Sequence, residues 1–117
     1  MNLAALLEPL GEPAAAFDDE GNLVYCNQEA RQLLGYQPEE DLSDLHLSDF
    51  YPEREYERIL QDAYPRAVRE GAWHSRVAMR TKTDRIIETD HLVECRLTRE
   101  GTLKYVTIRA RPASSAV

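Results

Sequence analysis

Leu3, Leu6, Leu7 and Leu10 fall at i, i+3, i+4 and i+7, which predicts a short amphipathic helix at the head of the chain. Pro9 lies near its end, and Gly11 and Pro13 break the run. A helix this short does not persist alone in water, so it must dock on something. Residues 14–18 and 22–26 are apolar segments on either side of Asp19-Glu20-Gly21, the pattern of a β-hairpin. Asn27 follows as an N-cap, Ala30, Leu33 and Leu34 supply a buried stripe, and Gly35 stands where the helix must stop. Residues 36–52 are polar with scattered anchors, Leu42, Leu45, Leu47, Phe50 and Tyr51, and predict short helical turns. Over 53–70, Tyr56, Ile59, Leu60, Ala63, Tyr64, Ala67 and Val68 keep the helical period. Pro65 removes a backbone donor inside this run, so a kink or a break is expected there.

Beyond Gly71 the period changes to two. In 74–82, Ser75, Val77, Met79 and Thr81 oppose Arg76, Arg80 and Lys82. In 86–98, Ile87, Thr89, His91, Val93, Cys95 and Leu97 share one face, and Glu88, Asp90, Leu92, Glu94 and Arg96 take the other. Gly101 marks a hairpin turn. In 102–110, Val106, Ile108 and Ala110 oppose Leu103, Tyr105, Thr107 and Arg109. The order is helix, two strands, a helical middle, then three strands, which defines an α+β fold with an antiparallel sheet.

A chain of 117 residues suits one domain with one core. The longest apolar runs are a few residues, far short of a membrane span. The first basic residue is Arg31, so the N-terminus lacks the positive region of a secretory signal. Cys26 and Cys95 lie far apart and outside any CxxC pair, as expected for free thiols in the cytoplasm. Three histidines and two cysteines share no ligand-like spacing, which speaks against a zinc site. A net charge of −7 argues against a nucleic-acid partner. The charge is divided unevenly, net −12 over residues 1–62 and net +5 over 63–117. The two halves either attract, within the domain or across a dimer, or are simply solvated faces.

The run EGNLVYCNQEARQLLGY, residues 20–36, resembles a PAS domain. Gly21, Asn27, Leu33, Leu34, Gly35 and Tyr36 match that family's pattern of an acidic residue and glycine, an apolar strand ending in asparagine, and a helix ending Leu-Leu-Gly-Tyr. The later order fits as well: a long connecting helix, Gly71-Ala72-Trp73 leading into the third strand, and two final hairpin strands. The resemblance covers roughly residues 3–112. It implies a five-stranded sheet in the order 2-1-5-4-3, with helices cupping one face. The domain plan it suggests is a flanking helix over 1–13, a PAS domain over 14–112 and a disordered tail over 113–117. Two departures stand out. Lys82-Thr83-Asp84-Arg85 lacks the glycine many relatives carry in that loop, so a longer or looser turn is expected. Arg111-Pro112-Ala113-Ser114 replaces the Asp-x-Thr signal that often precedes an output helix, and nothing after Pro112 reads as a coiled coil.

The implied function is a sensory or protein-interaction module of bacterial signalling, regulating a kinase, a diguanylate cyclase or a transcription regulator. Strand parity puts Val77, Met79, His91, Val93, Val106 and Ile108 on the face expected to line a pocket or core. His91 is the sharpest polar candidate: a neutral imidazole there would hold a ligand's polar group or heme iron, or else be a satisfied core histidine. Residues 53–70 contain no histidine for the commonest heme arrangement, while His46 lies in the helical middle, where other heme sensors find a ligand. Residues 36–52 contain no cysteine for covalent flavin photochemistry. Trp73 would flank a noncovalent flavin ring or simply pack. No cofactor is favoured, with heme, flavin or a small metabolite kept as the ligand-sensor alternative. An acid–base enzyme is the remote alternative, since Asp90 and His91 are adjacent and so point to opposite faces. The expected partner is a second copy, through Leu3, Leu6, Leu7 and Leu10 packed on an outer sheet face that offers Leu92, Leu103 and Tyr105. No membrane or nucleic-acid partner is expected.

Overall fold

Three hairpin turns share one construction. The computed structural model describes residues 2–113. It builds the sheet from β1 (Ala14–Asp18), β2 (Leu23–Cys26), β3 (Trp73–Arg80), β4 (Ile86–Leu97) and β5 (Leu103–Pro112). Asp18, Thr81 and Thr98 each open a turn and accept, through a side-chain oxygen, the N–H four residues on, at 2.8, 3.1 and 3.2 Å. The fourth residue is left-handed in each: Gly21 (φ 86°), Asp84 (φ 64°) and Gly101 (φ 87°). The 82–85 segment is therefore as tight as the other two turns. Asp84 supplies the positive φ that a glycine was expected to provide, a conformation that Asp tolerates better than most residues.

The five strands are antiparallel neighbours in the order β2-β1-β5-β4-β3. Helix α1 (Leu3–Leu7) continues as a 3-10 turn over Glu8–Leu10, and α2 (Gln28–Leu34) begins at the Asn27 cap. A 3-10 turn over Leu47–Phe50 precedes the connecting helix, made of α3 (Glu53–Arg58), a π-helical turn (Ile59–Ala63) and α4 (Tyr64–Glu70). Pro65 neither breaks nor ends this helix. The wider turn just before it, where the Tyr64 N–H reaches back to the Ile59 carbonyl, takes up the mismatch that a missing donor creates. The core stripe of the connecting helix is consequently Ile59, Ala63 and Ala67, and the expected members Leu60 and Val68 face solvent.

The main core lies between the helices and one sheet face, where Phe17, Leu47, Phe50, Tyr51, Ile59, Trp73, Val77, Met79, Val93, Val106 and Ile108 are buried together. Strand parity places β3, β4 and most of β5 as read from the sequence. Leu103 is the exception. Arg96 pairs with Tyr105 and Leu97 with Leu103, so Lys104 is skipped in a bulge and Leu103 turns to the core side. The other face is covered in part by α1, whose Leu7 packs on Ala14 and Ala16 with Leu3, Leu10 and Tyr25 around it. The docking surface on the chain's own sheet is thus the small residues of β1, not Leu92, Leu103 and Tyr105. Small side chains let the helix approach the strand closely. Ala113 donates to the Glu88 carbonyl at 3.0 Å, so the expected tail does not begin there. The rest of that tail, residues 114–117, lies outside the described residues. No helix among the described residues is long and apolar enough to cross a membrane.

Candidate functional site

Inside the cup, a file of polar groups crosses an otherwise apolar core. Thr89 donates its hydroxyl to the Val77 carbonyl (2.9 Å), so its oxygen is free to accept from His91 Nδ1–H (2.9 Å). That assignment leaves His91 Nε2 as an acceptor for the Tyr51 hydroxyl at 2.7 Å. The three side chains are 1%, 0% and 2% exposed for Tyr51, Thr89 and His91, and each polar atom has a partner. Burial, followed by the nearby Arg58 charge, pushes the His91 imidazole from 6.5 down to about 3. Burial also holds the Tyr51 phenol well above its usual range, with Tyr64 and Glu55 adding to the effect. The file is therefore neutral at neutral pH, with protons on the Tyr51 and Thr89 hydroxyls and on His91 Nδ1, and none on His91 Nε2. It ties the segment before α3 to β3 and β4.

Val77, Met79, Val93, Val106 and Ile108 are buried beside this file. Met79 and Ile108 also border a cavity of about 20 Å³ with Ala15, Phe17, Leu34 and Phe50. Val77, His91, Val93 and Val106 do not border it, though all four are buried. A water needs at least roughly 10–15 Å³ of such space, so the cavity admits about one water-sized occupant. Heme and flavin do not fit: the cup is filled by protein side chains, and both His91 nitrogens are already bonded.

The remaining candidates are structural in their contacts. His46 staples the first hairpin to the helical middle, with Nε2 on the Glu20 carbonyl (2.7 Å) and Nδ1 accepting from the Ser48 N–H (3.1 Å). Trp73 is packed in the core with the Arg58 guanidinium 5.1 Å from its ring centre. Asp90 faces out toward Arg76 at 3.6 Å, on the sheet face opposite His91, so the two form no dyad. Cys26 is buried, Cys95 is half-buried and both are free.

Several functional contacts escaped the sequence reading. Asn27 is more than a helix cap. Its Oδ1 accepts from the Ala14 and Ala30 N–H groups, and its Nδ2 donates to the Leu7 and Glu12 carbonyls at 2.9 Å. Glu8 accepts from the Tyr25 hydroxyl and the Gln28 N–H. Glu12 bridges Arg109 and Arg111. These bonds, with Leu7, hold the N-terminal flank against its own sheet. The opposite charges of the two chain halves meet within the domain at Glu12 and again at Glu40, where the Lys82 ammonium is 2.8 Å away. The Thr89–His91 pairing had a signal in the sequence, two polar residues at i and i+2 on an otherwise apolar strand face. The Asn27 and Glu12 contacts had none, because their partners are distant along the chain.

With its strand order and its helices cupping one sheet face, the chain belongs to the PAS fold family, which it matches over residues 2–113. Solved PAS domains share its architecture at low identity. One from Colwellia psychrerythraea has a TM-score of 0.81 at 14% identity, covering 95% of this chain and 93% of that one. The PAS domain of a LuxR-family transcriptional regulator from Burkholderia thailandensis, solved in complex with ethanol, has a TM-score of 0.77 at 16% identity, covering 98% and 100%. A PAS domain from a two-component sensor histidine kinase has a TM-score of 0.70 at 16% identity, covering 95% and 93%. At these identities the likeness is one of fold. No curated protein matches the sequence.

Proposed function

We propose that this PAS domain is a signal-transduction module that works mainly by protein–protein contact, regulating a partner or a fused output such as a kinase, a diguanylate cyclase or a transcription regulator. One contrast carries the reading. The cup that would hold a ligand is packed solid around a satisfied histidine, whereas the flank and outer sheet face leave a contact surface open. Leu6 is 46% exposed on the docked flank. Beside it a groove of about 240 Å³ runs between the flank and β4–β5, past Leu10, Glu94, Arg96, Tyr105 and Thr107.

The occupant we assign to this groove is a second copy of the chain. A two-fold contact is self-complementary, and the neighbouring Glu94 and Arg96 let the acid of each copy meet the base of the other. Leu6 and Leu10 then complete their burial against the facing copy, while Leu3 and Leu7 hold the flank to its own sheet. Sedimentation at high micromolar concentration should show a dimer that Leu6→Glu with Leu10→Glu converts to a folded monomer. A monomeric wild-type chain, unchanged by that pair, would sink the dimer.

A small-metabolite sensor is the second reading: the cavity beside α2 has an apolar lining and the Burkholderia neighbour was solved with ethanol, and any ligand larger than a water would have to widen the cavity on entry. An absorption spectrum, then mass spectrometry of any released ligand, separates it from the first. In either reading the domain works as a binding module; the acid–base pair that the sequence offered, Asp90 and His91, lies on opposite sheet faces. Its free thiols suit the cytoplasm.

A further inference from the structure

Residues 8–13 lead from the flank into β1, and residues 109–112 form the end of β5, with Ala113 just beyond it. The two segments lie side by side. Pro13 accepts the Ala110 N–H at 2.9 Å, and Glu12, between Gly11 (φ 71°) and Pro13, turns its carboxylate onto β5. One oxygen takes Arg109 Nε at 2.7 Å, and the other lies 3.4 Å from Arg111 Nε. Glu12 and Arg109 are 20% and 34% exposed, so their bond is sheltered more than an ordinary surface bridge, whereas Arg111 reaches Glu12 from a largely exposed position. The bonds that hold the flank all reach residues distant along the chain, Tyr25, Asn27, Gln28 and Arg109, and α1 is too short to remain folded once released.

We infer that Glu12, Arg109 and Arg111 form an ionic latch that couples the segment entering the domain to the strand leaving it, so that undocking of the flank and loosening of the end of β5 are one event. The chemistry supports coupling and not simple attachment. A single carboxylate shared by two guanidiniums two residues apart on one strand face fixes the strand end as firmly as it fixes the flank. When Glu12 leaves, the two guanidiniums lose the carboxylate they share, and the end of β5 keeps only its ladder with β4, where Arg111 pairs with Asp90 and Arg109 with Leu92. A flank displaced by a partner would thereby be reported at the opposite end of the chain.

The test is amide hydrogen exchange on the full chain, with Leu6 and Leu7 reporting the flank, Ala113 reporting the end of β5 and Val93 reporting global opening. Glu12→Gln should speed exchange at both ends by about fivefold, the scale of a well-formed ion pair, and leave Val93 unchanged. Arg109→Gln with Arg111→Gln should give the same two-ended change, and adding Glu12→Gln to it should give no more. Faster exchange of the flank with Ala113 unaffected, or effects that multiply in the triple variant, would overturn the latch. The measurement is made at low concentration, where failure of the dimer does not enter.

Discussion

Acidification should destabilise this domain through His91 well before its carboxylates titrate. In the unfolded chain the imidazole has its ordinary value of 6.5, and in the fold it is pushed to about 3. Between those values the unfolded chain binds a proton that the folded chain refuses. The contribution is therefore complete above about 6.5 and is lost as the pH falls toward 3. Inside that window each pH unit costs about 1.4 kcal/mol, so going from about pH 7.5 to about pH 5 should cost roughly 2 kcal/mol through this residue alone. The structural cause is specific: protonation would give the ring its second N–H, at Nε2, facing a Tyr51 hydroxyl that now donates to it, in a site where His91 is 2% exposed. Urea unfolding of the wild type and of His91→Gln at the two pH values isolates the effect, because all other titrations are common to both proteins. The glutamine variant should be less stable at pH about 7.5, by roughly 1–3 kcal/mol for the disturbed buried bonds. Its further loss on acidification should be smaller than the wild type's by about 2 kcal/mol. Equal acid losses in the two proteins would refute the neutral, doubly bonded assignment of His91.

Three other substitutions probe the fold around the site. The Tyr64 hydroxyl is buried without a hydrogen-bond partner, so Tyr64→Phe should be neutral or stabilise by about 1 kcal/mol in urea unfolding. Gly21→Ala should destabilise by at least roughly 2 kcal/mol, since φ is +86° and the new Cβ would lie 2.5 Å from His46 Nε2, displacing the ring from the Glu20 carbonyl. Asp84→Gly should raise the thermal midpoint slightly, by the equivalent of about 0.5–1 kcal/mol, because it relieves the left-handed strain in the β3–β4 turn.

The elements of this protein were largely written in local pattern. Strict alternation over β3, β4 and most of β5 settled which side chains enter the core, because a slip of one residue would have buried Arg80, Glu88 and Asp90. Asn27 and Gly35 marked the bounds of α2 through the chemistry of helix ends. The family pattern in residues 20–36 then supplied a strand order that periodicity cannot, since pairing between distant strands leaves no local trace. What tertiary structure alone decided was where the chain departs from period and who meets whom. The π turn before Pro65 and the bulge at Lys104 each shift a pattern by one residue, turning Leu60 and Val68 outward and Leu103 inward. Side chains far apart in sequence became partners: Tyr51 with His91, Asn27 with Leu7 and Glu12, Glu12 with Arg109 and Arg111. Whether His91 would be a ligand site or a packed core residue depended on a hydroxyl arriving from another element and on the volume left after every helix had docked. Both are properties of the assembled fold, which no stretch of sequence carries by itself.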